Sequence, residues 1–216
     1  MAADHAPGTD GVGAERGHGG RPARATRATF AERKERRAAV DDPDIVLEAA
    51  ARFLEPRARS VAEVRRRLTG AGYRPVLVEG AITRMLELGM LEDEAFARAW
   101  VESRDRARPR GERAICQELG LKGVDRATID LVLAERREAA AGVPSDDGEL
   151  PATPDQAAAE RLLARNARGL ARVADPRQRR QRAYALLARN GFDPEVCRTF
   201  AAQVESDGPD EGLEEV

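Results

Sequence analysis

One pattern occurs three times along this chain: a leucine, three mixed residues, a glycine and then an apolar residue. It reads LTGAGY at 68–73, LGLKGV at 119–124 and LARNGF at 187–192. Six residues after Gly72, Gly123 and Gly191 stand Val78, Ile129 and Cys197, and ten residues after them stand Ile82, Leu133 and Ala201. Four residues before the three leucines stand Val64, Ile115 and Ala183. Steps of four place such residues on one face of a helix. A glycine between two such faces supplies the left-handed residue on which a helix commonly ends. The pattern predicts the same helix–stop–helix element three times over.

Each element is preceded by a further amphipathic stretch, at 44–55, 93–106 and about 154–173. In the first of these, DPDIVLEAAARFL places Ile45, Leu47, Ala49, Ala50, Phe53 and Leu54 along its apolar side. SVAEVRRRL opens with Ser60 and carries Glu63 three residues on, the signature of a capping box. PVLVEGAITRMLELG has Pro75 in its first turn and points Val78, Ile82, Met85 and Leu86 inwards. No stretch alternates as a half-buried strand does. The fold class expected is therefore all-α, a tandem array of three three-helix repeats. Units this small bury little core alone and stack into a short curved solenoid. The expected boundaries are 44–91, 92–140 and 154–204 for the repeats, with an acidic Pro/Gly linker at 141–153. A basic, glycine-rich extension at 1–43 and an acidic tail at 205–216 are expected to be disordered. Within the extension, FAERKERRAA at 30–39 reads equally as a short basic helix or as part of the tail.

The formal net charge of -2 hides an uneven distribution. Residues 154–204 carry ten arginines against five acids, whereas 205–216 carry six acids and no base. A basic third repeat is thus masked by acidic flanks, and the tail is expected to fold back on it or simply to solubilise the end. No apolar run approaches the roughly 18 to 20 residues that cross a bilayer, and no signal peptide is apparent. A cytoplasmic monomer without membrane attachment is expected.

Catalytic chemistry is poorly provided for. The two histidines, His5 and His18, lie in the N-terminal extension, which leaves no histidine for a triad or for acid–base work in the repeats. Cys116 and Cys197 have neither metal-ligand spacing nor the number for a disulfide framework, and both read as packed thiols. GVGAERG lacks the Lys-Ser/Thr ending of a phosphate loop. Glu92, Asp93 and Glu94 read as the start of a helix, with Asp93 as its N-cap, rather than as a metal site. Phe96 and Trp100, four apart, read as core. No enzyme activity, cofactor or metal is expected.

The stretch 88–124 combines Leu91-Glu92-Asp93, Phe96-Ala97, Trp100-Val101 with Arg104, Gly111, and Glu118-Leu119 with Lys122-Gly123. In this combination it resembles the RecX regulatory protein family. Arg57, Arg59, Ser60, Glu63 and Val64 resemble a further family element, and YALLARNGFDPEVC its closing one, with Asn190 where a second arginine is common. The likeness covers about residues 44–204, and the long linker departs from compact members. It implies a nine-helix regulator that binds the RecA recombinase, chiefly its filament on single-stranded DNA. Such a protein dampens strand exchange and the coupled ATPase, and so acts in DNA repair, recombination and the SOS response. Exposed basic residues near helix ends are the expected partner contacts: Arg57, Arg59, Arg66, Arg104, Arg110, Arg113, Lys122, Arg179 and Arg180. Two other readings stay open on the residues alone: a helical-repeat protein that binds DNA directly, weakly or as its main activity, and a scaffold for another protein.

Overall fold

The computed structural model describes residues 29–141 and 153–206, and among them all regular structure is helical. The expectations for the linker, the acidic tail and the first 28 residues fall outside the described residues. Helix starts follow local chemistry. Thr29 and Glu32 close a capping box at α1 (Phe30–Ala38), Ser60 and Glu63 at α3 (Val61–Ala71), and Thr153 and Gln156 at α8 (Pro154–Ala171). Proline, which has no N–H to leave unpaired, opens α2 (Pro43–Leu54), α4 (Pro75–Glu87), α9 (Pro176–Arg189) and α10 (Pro194–Ser206). The remaining helices are α5 (Asp93–Ala107), α6 (Glu112–Lys122) and α7 (Arg126–Ala141). Segment 30–38, open on the sequence, is thus a helix held by its own capping box. This helix lies inside the 1–43 segment that was expected to be disordered.

Repeat 1 is α2–α4, repeat 2 is α5–α7 and repeat 3 is α8–α10. In each, all three helices pack on one another. Each repeat has its own apolar cluster, centred on Val64 and Leu68, on Ile115 and Leu119, and on Ala183 and Leu187. Every recurring position is buried, from Val64, Ile115 and Ala183 through Val78, Ile129 and Cys197 to Ile82, Leu133 and Ala201. The apolar residues after the glycines, Tyr73, Val124 and Phe192, are buried too. Each donates its backbone N–H to the recurring leucine's carbonyl, which folds the stop back on the helix. Two assignments need correction. The stripe on α2 is centred on Val46 and Ala50, fully buried, while Ile45 is exposed, because the helix buries a narrower face than its apolar content suggests. Leu86, in the last turn of α4, is also exposed, since the inward stripe ends with Met85.

The recurring glycines have φ of 104°, 84° and 80° at Gly72, Gly123 and Gly191. They do more than end helices. A Cβ on Gly123 would collide with Ala62 of α3, and one on Gly191 with Ala114 of α6. The amino end of the second helix in one repeat therefore sits against the carboxyl end of the second helix in the next. The second helices α3, α6 and α9 run head to tail, which sets the positive end of one helix dipole against the negative end of another.

Candidate functional site

Both joints between repeats use one scheme. At the first, Ser60 Oγ donates to the Lys122 carbonyl at 2.6 Å, and the Val61 N–H donates to Asp93 Oδ1 at 2.9 Å. At the second, the Gly111 N–H donates to the Asn190 carbonyl at 3.0 Å, and the Glu112 N–H donates to Asp155 Oδ2 at 3.0 Å. An aspartate at the start of one repeat thus caps the second helix of the repeat before it. This corrects the reading of Asp93 as the cap of its own helix. Glu92 holds the N-cap position of α5, and the Asp93 carboxylate reaches across to α3. Burial raises the Asp93 pKa, against the opposing pull of the Val61 N–H.

The basic residues singled out in the sequence gather along these joints. Lys122 Nζ bonds Glu63 Oε1 at 2.8 Å, and Arg57 lies 3.5 Å from the same oxygen. Burial pushes Glu63 up, but hydrogen bonds from Lys122 and the Ser60 N–H outweigh it and leave its pKa lowered. Arg66 reaches the carbonyls of Leu121 and Lys122 at 3.3 and 3.4 Å. Lys122 also sits 5.0 Å from the centre of the Trp100 ring, which Arg104 covers at 4.3 Å. Trp100 Nε1 and Arg104 Nε both donate to Glu118 Oε2, at 2.8 and 2.6 Å. Arg110 is 3.6 Å from the other Glu118 oxygen and donates to Asn190 at 2.9 Å. Arg57, Glu63, Lys122, Trp100, Arg104, Glu118 and Arg110 therefore form a continuous polar strip from repeat 1 to the edge of repeat 3. Phe96 is core as expected, whereas Trp100 is only half-buried and forms the aromatic centre of the strip.

Of the other nominated residues, Arg113 is largely exposed and pairs with Asp193 at 3.0 Å across the second joint. Arg59 lies half-buried over the Phe53 ring at 4.3 Å. Arg180 is exposed on α9. Arg179 was expected at the surface and is not there: it is 8% exposed, and its Nε donates to the Val173 carbonyl beyond the end of α8. It holds repeat 3 together from within.

Sequence reasoning missed a second buried charge. Arg136 is 9% exposed and forks onto both Asp105 oxygens, at 2.7 and 3.0 Å, and onto Asp155 at 2.8 Å. Burial disfavours its charge, but the bonds to Asp105 and Asp155 prevail and its pKa is raised. Asp155 thereby serves α6 and α7 at once. Arg165 of α8 completes the joint by donating to the carbonyls of Ala107 and Arg106 at the end of α5. Spacing did not mark these aspartates: Asp42 and Asp93 both stand eighteen residues before the N-cap of the second helix, yet Asp42 caps only its own helix, and Asp155 stands twenty before Asp175.

Among the described residues no three His, Cys, Asp or Glu side chains converge as metal ligands would, and no helix is long and apolar enough to cross a membrane. The surface carries exposed guanidinium groups along the array of helices, among them Arg57, Arg66, Arg113 and Arg180.

Comparison with known proteins matches each repeat to a separate family domain. Residues 47–85, 93–133 and 154–200 match the first, second and third three-helix domains of RecX. Regulatory protein RecX of Mycobacterium sp. (strain JLS) is 42% identical over 84 residues, 39% of this chain and 46% of that protein. The match thus spans about half the length of that relative. Regulatory protein RecX of Streptomyces coelicolor is 32% identical over 133 residues, 61% of this chain and 63% of that protein. That of Mycobacterium avium (strain 104) is 29% identical over 154 residues, 71% and 81% of the two chains. The crystal structure of RecX from Lactobacillus salivarius superposes with a TM-score of 0.57 at 18% identity, covering 77% of this chain and 98% of that one, which supports the fold alone. Three family domains in the family's own order, each coinciding with one structural repeat, establish that this chain belongs to the RecX family.

Proposed function

We propose that this chain regulates RecA: it binds the recombinase and its filament on single-stranded DNA and lowers strand exchange and the coupled ATPase. The observation that carries the reading is the full set of three RecX domains. The geometry supports it in a second way, because the array offers basic side chains in every repeat at the end of a helix. Arg57, Arg113 and Arg180, one per repeat, are exposed and belong to the contact face, with Arg59 and Arg66 in the same repeat as Arg57. Arg110 and Lys122 act at one remove, by bonding across the joints between repeats, and Arg104 by holding Glu118 within repeat 2. Binding shifts the filament between its states only as far as the two affinities differ.

The test is RecA ATPase on single-stranded DNA, titrated with this protein below one per protomer. Strong inhibition at low ratio marks action on filament growth, and no inhibition at any ratio refutes the reading. Reversing Arg57, Arg113 and Arg180 to glutamate together is expected to abolish inhibition while the far-UV spectrum and the melting transition persist. The excess of arginine in repeat 3 favours a second reading, direct DNA binding. A gel shift without RecA separates the two, since a phosphate-driven complex weakens linearly in log affinity with log salt.

A further inference from the structure

The joint between repeats has a grammar that can be read at both ends of the array. The receiving side is a left-handed glycine closing the second helix, at Gly123 and Gly191. The entering side has three parts. Its N-cap is a donor: the Ser60 hydroxyl at one joint, the Gly111 N–H at the other. Its first helical residue has an N–H for the partner repeat's aspartate, Val61 or Glu112. An alanine in its first turn, Ala62 or Ala114, lets the glycine approach.

Gly72 of repeat 1 is a third receiving glycine, with φ of 104°. No repeat precedes it in the described chain, and α1 takes the place instead. A Cβ on Gly72 would meet Lys34 of α1, at 2.5 Å from its Cγ and 2.9 Å from its carbonyl oxygen. Arg37 lies over the ring of Tyr73, the next residue, at 5.8 Å, and Arg74 pairs with Asp41 just after the helix. Yet α1 crosses the glycine with its middle rather than its amino end, and none of its own residues is buried. Asp42, at the position of Asp93, is exposed and accepts from the Asp44 N–H of its own helix at 2.9 Å. α1 covers the receiving end without completing the joint.

At the other end, α9 departs from the entering side. Its N-cap, Asp175, is a carboxylate that accepts from the Arg177 N–H, so its side chain cannot donate as the Ser60 hydroxyl does, although it keeps the backbone N–H that Gly111 uses. Its first residue, Pro176, has no N–H. Arg177 stands where Ala62 stands in α3.

We infer that the array is closed at both ends against a second copy of this chain, by α1 on Gly72 and by Asp175, Pro176 and Arg177 at the start of α9. A repeat array with open ends invites indefinite head-to-tail stacking. Here the receiving end is covered, and the entering end is made of residues that do not fit it. The inference does not depend on what the array binds.

Opening the ends tests it. Removal of residues 1–41 uncovers Gly72 and leaves Asp42 in place. The graft Asp175→Ser, Pro176→Val, Arg177→Ala rebuilds the amino end of α3 at α9. Sedimentation velocity over a concentration series reads the outcome. The parent and each singly opened variant are expected to remain monomers. Their equimolar mixture is expected to form one-to-one complexes and nothing larger, and the doubly opened chain a growing series of oligomers. Lys34→Pro, which breaks α1 while keeping all of repeat 1, is expected to substitute for the deletion. A doubly opened chain that stays monomeric overturns the inference. So does association by either singly opened variant alone, which would mark non-specific exposure, and so does loss of helical signal from repeat 1 with both the deletion and Lys34→Pro.

Discussion

Gly123→Ala isolates what a joint is worth. At φ of 84° any side chain meets the left-handed penalty, roughly 1–2 kcal/mol. The new methyl would also fall far inside van der Waals contact with the methyl of Ala62. Forcing a methyl into packed surroundings typically costs about 1–3 kcal/mol more, so the total loss expected is about 2–5 kcal/mol. Gly89 supplies the control. Its φ is 65°, and nothing lies within 4 Å of where its Cβ would stand, so Gly89→Ala loses only the left-handed term. Urea titrations followed by far-UV circular dichroism give both losses. Fluorescence of the sole tryptophan, Trp100, follows the joint directly, because the ring lies against Lys122 one residue before the glycine. Ala62→Gly in the Gly123→Ala background removes the colliding methyl and is expected to recover about 1 kcal/mol or more of coupling in a double-mutant cycle. Equal losses for Gly123→Ala and Gly89→Ala, with no coupling to Ala62, would refute the claim that the glycine serves the joint as well as the helix stop.

The remaining expectations concern individual side chains. Arg136→Met leaves Asp105 and Asp155 facing each other without their cation and is expected to cost about 3–5 kcal/mol in urea unfolding, the usual loss when one partner of a buried ion pair is removed. Arg179→Ala is expected to lower stability by about 1–2 kcal/mol while RecA inhibition, compared at full folding, stays at the parent level; loss of inhibition with unchanged stability would return Arg179 to the contact surface. Glu63, with a folded pKa below its ordinary 4.5, contributes stability that is fully present above pH 4.5 and lost as pH falls through the lowered value. Glu63→Gln is therefore expected to flatten the acid limb of a stability–pH curve, and an unchanged limb would show that the bond to Lys122 carries no weight.

Features governed by neighbours within a turn or two of the chain were readable from the residues alone. The capping box at Ser60 and Glu63, the stops at Gly72, Gly123 and Gly191 and the apolar steps of four all depend on short-range geometry, and all are present as read. Errors of face were small for the same reason: Val46 displaces Ile45 by one position on a stripe whose existence was plain. The segment at 30–38 was ambiguous because its capping box competes with an almost wholly polar sequence, and its place over Gly72 is a tertiary fact. The joints were out of reach. The pairs that build them lie 32 residues apart at Asp93 and Val61, 43 at Asp155 and Glu112, and 80 at Arg110 and Asn190. Nothing local tells an aspartate whether to cap its own helix or another. Composition likewise marked Arg179 and Arg66 as equivalent surface charges, and only packing sent one inside and laid the other across a helix end. The sequence by itself determined three helical units and where each helix stops, because backbone conformation answers to adjacent residues. How the units lock together, and which charges remain for a partner, was decided by the tertiary structure, because a charge takes its role from whatever distant group the fold brings within 3 Å of it.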